Sequence, residues 1–151
     1  MAVCPEGPGV GDITPVLGRS ASSGAMAQHR EIARWYADAL AGLGLTLPQS
    51  IEPDSHTYQS YVVLLPPAVA PRRADLIARL KTNGVETSIG THHLPMIDWA
   101  RTRGGYRTGD FPVTDDVARR GLALPMHSGL SRDDVACVAD RLGAALRGAA
   151  A

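Results

Sequence analysis

Lysine is almost missing from this 151-residue chain: Lys81 is the only one, and the rest of its fifteen basic residues are arginine. Any chemistry that needs a lysine amine in a shielded pocket therefore has a single residue to draw on. Cysteine is nearly as scarce. Cys4 and Cys137 lie far apart, which excludes a disulfide framework and a cysteine-based zinc set, and both are expected to be reduced thiols. No apolar run approaches the roughly 20 residues a membrane helix needs. The opening "MAVCPEGPGVGD" lacks the basic start and apolar stretch of a secretory signal, so the cytoplasm is the expected location. An excess of either charge is also lacking. Fifteen acidic residues balance fifteen basic ones, which argues against a nucleic-acid or anionic-membrane partner.

The length suits one domain with one core. Residues 1–25, rich in Gly, Pro, Ser and Ala without an apolar period, read as an irregular leader, and residues 26–148 as a single α+β domain. From Ala27, the apolar set Ile32, Trp35, Tyr36, Ala39, Leu40 and Leu43 makes an amphipathic stripe that ends at Gly42 and Gly44. "HTYQSYVVLLPP" predicts a central strand of about ten residues. Pro71 opens a helix through Leu76, Ile77 and Leu80 that Asn83 and Gly84 stop, and "VETSI" (Val85 to Ile89) predicts a second strand. Gly90 to Gly109 has no clear period and reads as a long loop with a helical turn around "MIDWAR". A short helix from about Thr114, a short strand at "LALP" and a last helix capped by Ser131, burying Val135, Val138, Ala139, Leu142 and Leu146, complete the order. The expected fold class is α+β, a small sheet covered by helices.

Several residues invite chemistry. His92 and His93 are adjacent, so on an extended backbone they point to opposite faces and cannot chelate one ion. Alternation along the predicted strand puts His56 and Tyr58 on one face and Gln59 on the other. His127 precedes the last helix and suits turn geometry. Arg101, Arg103 and Arg107 offer charge to a diphosphate, against the simpler reading of a solvated loop. "GGYRTGD" has glycines but no strand-turn-helix context for a phosphate cradle. No Ser, His and acid spacing matches a nucleophile motif.

Four blocks, "HREIARWYADALAGLGLTLP", "HTYQSYVVLLP", "LIARLKTNGVETSIGT" and "GDFPVTDDVARRGLALPMHSGLSRDDVACVADRL", stand in the order and near the spacing of a known family. They resemble the sugar aminotransferases of the DegT/DnrJ/EryC1/StrS type. The likeness runs from Gln28 to Leu142 and implies the small C-terminal domain of the aspartate-aminotransferase (type I pyridoxal phosphate) fold. It implies transfer of an amino group to a nucleotide-linked keto sugar through pyridoxal phosphate, in homodimers. In that family a large N-terminal domain supplies the Schiff-base lysine, the aspartate for the pyridine nitrogen and the phosphate-binding turn.

This sequence departs from the pattern. Lys81 matches an ordinary surface position, and "GPGVGDITPVLG" stands where the family has an Asn-Tyr-Arg segment. The expectation is a truncated or split small domain that binds no cofactor and does no catalysis alone, its partner a large-domain polypeptide or a second copy of itself. The alternative is a non-catalytic module for nucleotide-sugar binding or protein association; a third reading is the inactive product of gene decay. The resemblance places Thr91, His92 and His93 at the substrate mouth and brings His56 and Tyr58 toward the active site, so these five are the expected substrate-binding residues. Against this stand solvated loop histidines, and capping or packing for His56.

Overall fold

Ile32, Tyr36 and Leu40 recur at helical spacing and are all but inaccessible to solvent, so the first helix adheres to the core by one stripe. In the computed structural model, which describes residues 19–50 and 56–150, this helix is α1 (Arg19–Ala39). It starts well before the expected Ala27, and residues 1–18 of the leader lie outside the described residues. Gly42 and Gly44 follow it with φ of +83° and +72°, the left-handed conformation that glycine adopts without a Cβ clash.

The strands are shorter than expected. β1 is Tyr61–Leu64, β2 is Ser88–Ile89 and β3 is Gly121–Leu124, in an antiparallel sheet ordered β1-β3-β2. Tyr61 pairs with Leu124 and Leu64 with Gly121, while Ile89 pairs with Leu122. β3 is the shared partner and limits both neighbours, since α4 (Pro112–Arg120) runs directly into it and Pro125 follows it. Upstream of β1, Tyr58 has φ +48°, which breaks the extended run that "HTYQSY" suggested. The expected alternation of His56, Tyr58 and Gln59 therefore does not exist.

β2 loses Val85 for a different reason. α2 (Arg73–Thr82), led in by a single 3-10 turn at Ala70–Arg72, ends with Gly84 N–H donating to the Lys81 carbonyl and Val85 N–H to that of Leu80. These are the paired bonds of a Schellman stop, so the Val85 amide serves the helix end and its side chain enters the core.

α5 (Arg132–Ala150) begins with a reciprocal cap: Ser131 N–H donates to Asp134 Oδ2 at 2.9 Å, and Asp134 N–H donates to Ser131 Oγ at 3.2 Å. Val135, Val138, Ala139, Leu142 and Leu146 are buried, as the spacing predicted. They meet α1, α2 and the sheet face carrying Tyr61, Val63, Leu122 and Leu124. Each fully buried large side chain there contributes about 1.5–3 kcal/mol. Cys137, on α5, is disulfide-bonded, which corrects the expected reduced thiol; the other cysteine, Cys4, lies outside the described residues.

The long segment after β2 holds more helix than a single turn. A 3-10 turn at Leu94–Met96 precedes α3 (Asp98–Gly104), which ends at Gly105 with φ +65°. Along this segment and the start of α4, Leu94, Ile97, Trp99 and Val113 lie exposed.

Candidate functional site

β1 and β2 each run antiparallel to β3 and so parallel to each other. Residues before β1 and residues after β2 consequently lie beyond opposite ends of the sheet. That topology splits the five candidate residues: His56 and Tyr58 stand at one end, Thr91, His92 and His93 at the other.

At the first end, the Tyr58 N–H donates to His56 Nδ1 at 2.9 Å, and the two rings lie 4.2 Å apart. The Tyr58 ring continues to Tyr61 at 6.2 Å, and Tyr61 stacks on Tyr36 at 4.8 Å. The Tyr36 hydroxyl donates to the Pro125 carbonyl at 2.8 Å. Burial, with the Tyr58 hydroxyl nearby, pushes the Tyr61 hydroxyl up to about 12, and burial also raises that of Tyr36. These rings brace α1 on the sheet. A groove of about 250 Å³, bordered by Arg34, Pro48, Tyr58 and Tyr61, opens beside them.

At the other end, the sheet and α4 hold a loop between them. Gly90 N–H donates to the Gly121 carbonyl at 3.1 Å. Thr91 and His92 are exposed, whereas His93 turns inward and its Nε2 bonds Asp115 Oδ1. Asp115 Oδ2 accepts the Gly109 N–H at 2.9 Å. The His93 hydrogen bond, helped by Gly109 and Arg119 and opposed by partial desolvation, holds the Asp115 carboxyl below the usual carboxylate range. Asp116, one residue on, is lowered by hydrogen bonds from Arg119 at 2.9 Å and Arg120 at 2.7 Å. Arg120 also donates to the Leu65 carbonyl at 2.7 Å, and Arg73 donates to the carbonyls of Ala118 and Gly121 at 2.6 and 3.0 Å. Two arginines thus fasten the C-terminal end of α4 to its neighbours.

A depression of about 410 Å³ lies here, lined by His93, Met96, Thr108, Asp115, Ala118 and Arg119. Asp115 and Arg119 were not singled out in the sequence. The available signal was "PVTDD", where proline and acids open a helix; that explains a dipole contact but not a bond 22 residues back to His93. Among the described residues, no group of three or more His, Cys, Asp or Glu could hold a metal ion. His127 has the turn role expected of it, its Nδ1 accepting the Gly129 N–H at 3.2 Å. Arg101 pairs with Asp98 at 3.3 Å and Arg103 lies 5.5 Å over Trp99, so neither is held for a diphosphate.

The model of the DegT/DnrJ/EryC1/StrS aminotransferase family matches residues 21–143. The chain belongs to that family. A dTDP-3-amino-3,4,6-trideoxy-alpha-D-glucose transaminase of Micromonospora megalomicea subsp. nigra is 32% identical over 116 residues, covering 72% of this chain and 29% of that protein. The aminotransferase TlmJ of Streptoalloteichus hindustanus superposes with a TM-score of 0.73 at 26% identity, over 87% of this chain and 34% of that one. The PLP form of the sugar aminotransferase Spr1654 of Streptococcus pneumoniae gives 0.75 at 16% identity over 84% of this chain and 32% of that one, which shows a shared fold. The chain spans under a third of the curated relatives it matches.

That structure, which shares the fold, is a pyridoxal phosphate form, and the residues present here can be tested for fit to the coenzyme. Holding this coenzyme through a lysine requires an amine shielded enough to lose its proton. Lys81 is exposed in the last turn of α2. The described residues of this DegT/DnrJ/EryC1/StrS family member do not fit that requirement, and no catalytic step through the coenzyme follows from them.

Proposed function

We propose that this chain provides the small C-terminal domain of a pyridoxal phosphate-dependent nucleotide-sugar aminotransferase and does not catalyse amino transfer by itself. The observation that carries the reading is the family match over residues 21–143 combined with a span of about one third of each relative. A small three-stranded sheet under helices, superposing on family enzymes, supports the type I small-domain assignment. The relative from Micromonospora is named for a dTDP-linked amino sugar, which supports a nucleotide-linked keto sugar as the substrate class. The coenzyme and its lysine belong, on this reading, to protein sequence outside these 151 residues.

Substrate contact is assigned to the end of the sheet carrying Thr91, His92 and His93. His56 and Tyr58 sit beyond the other end and offer a separate contact. Hydroxyl and imidazole groups at a solvent-facing loop suit sugar hydroxyls and phosphate oxygens. A cytoplasmic location agrees with this biosynthetic role. Among the described residues no helix is long and apolar enough to cross a membrane.

The second reading is a non-catalytic association module. The exposed apolar side chains Leu94, Ile97, Trp99 and Val113 favour it, since a covering partner, a large-domain polypeptide or a second copy, would remove them from water.

The test mixes the purified chain with pyridoxal phosphate, an amino donor and a dTDP-linked keto sugar, with and without a lysine-bearing large domain from a family enzyme. Turnover is expected only in the mixture of both polypeptides. Turnover by the isolated chain, or a stoichiometric visible absorption band that Lys81→Ala abolishes, would overturn the reading.

A further inference from the structure

The loop that follows β2 is pinned at two points. One is the Gly90 N–H on the Gly121 carbonyl at 3.1 Å; the other is the His93 ring on Asp115. Asp115 lies in the first turn of α4, and its second oxygen accepts the Gly109 N–H at 2.9 Å. One carboxylate thus joins the loop after β2 and the loop before α4 to the same helix. An ionised carboxylate only accepts hydrogen bonds, so Nε2 of His93 carries the proton in this contact, and wherever the ring is neutral the lone pair is left on Nδ1. That Nδ1 is buried and has no partner among the described residues. Both ring nitrogens are thereby withdrawn from solvent, while Thr91 and His92, between the two pins, remain exposed.

We infer that Asp115 is a positioning residue: it holds His93 in one tautomer and so fixes how the Thr91–His92 tip is presented, leaving His92 as the imidazole a ligand meets. What meets that tip rests on the substrate reading above. The clamp is internal to the chain and is tested without any ligand, so its failure and the failure of that reading are separable.

The experiment uses the full 151-residue chain with ¹⁵N-labelled histidine, at a pH where imidazole is neutral, and reads ring nitrogens in long-range ¹H–¹⁵N spectra. His93 is expected to show a protonated Nε2 and a bare Nδ1 without averaging, and His92 the averaged pattern of a free ring. Asp115→Asn keeps the size but introduces a donor; it should move both His93 nitrogens toward averaging and speed Gly109 amide exchange roughly tenfold. Asp116→Asn, in the same helix but bonded to Arg119 and Arg120, should leave His93 unchanged. An averaged His93 ring in the wild-type chain, or an Asp116→Asn effect on His93 as large as that of Asp115→Asn, would overturn the inference.

Discussion

Gly90 and Gly121 face each other across the start of β3. A Cβ placed on Gly90 would lie 2.4 Å from Val62 Cγ1 and 3.0 Å from the Gly121 backbone, and one on Gly121 would lie 2.8 Å from the Val117 carbonyl oxygen. The φ of Gly121 is −63°, so a close approach of backbones, not an unusual conformation, accounts for glycine there. The contact seats the candidate loop on the sheet.

Gly90→Ala and Gly121→Ala should each cost about 1–3 kcal/mol, because backbone atoms must shift to admit the methyl group. Gly24 is the control, since a Cβ there, in the second turn of α1, meets nothing within 4 Å. Gly24→Ala should be neutral or stabilise by up to about 1 kcal/mol. Urea unfolding midpoints separate these outcomes; equal midpoints for Gly90→Ala and Gly24→Ala would refute the packing argument.

The cap on α5 yields a second expectation. Ser131→Ala removes the oxygen that accepts the Asp134 N–H and should cost about 1 kcal/mol. Thermal melts followed by circular dichroism read the loss. A melting temperature unchanged within error would show that the cap is dispensable.

Acid should weaken the fold through the same groups. Hydrogen bonds depress the carboxyls of Asp115, Asp116 and Asp134 in the folded chain. Their contribution is present above the unfolded value near 3.8 and is lost as pH falls through the lower folded values. Between pH about 6 and 2, the stability of Asp115→Asn should therefore fall less steeply than that of the wild-type chain. Parallel curves would contradict the assigned direction.

At alkaline pH the sign comes from the tyrosines. Burial pushes the Tyr61 hydroxyl up to about 12 in the folded chain from the ordinary 10.0, and raises that of Tyr36 as well. Stability is full below about pH 10 and declines above it, as the unfolded chain gives up protons that the folded chain retains. Tyr36→Phe tests the coupling: it should cost about 1 kcal/mol at neutral pH by leaving the Pro125 carbonyl without its donor. It should also flatten the alkaline decline.

Trp99→Glu combined with Val113→Asp should reduce any concentration-dependent sedimentation of the chain, because both side chains are more than two-thirds exposed. A double variant that sediments like the wild-type chain at every concentration would remove this surface from the association reading.

Helix-forming stripes were legible because their signal is local. The spacing of Val135, Val138, Ala139, Leu142 and Leu146, the cap at Ser131 and the stop at Asn83–Gly84 all act within a few residues, and each stands where expected. Strand lengths were not legible. β1 and β2 can extend only as far as β3 offers partners, and β3 is confined between α4 and Pro125, a limit set by residues distant in sequence.

By itself the sequence determined the family, the α+β class and the scarcity of amines, since composition, order of blocks and helical periodicity are properties of the chain. Only the tertiary structure decided that His56 and Tyr58 part company with Thr91, His92 and His93, because strand direction, which no single segment encodes, sends them to opposite ends. It alone joined His93 to Asp115, a pairing made across 22 residues by the docking of one helix beside one sheet.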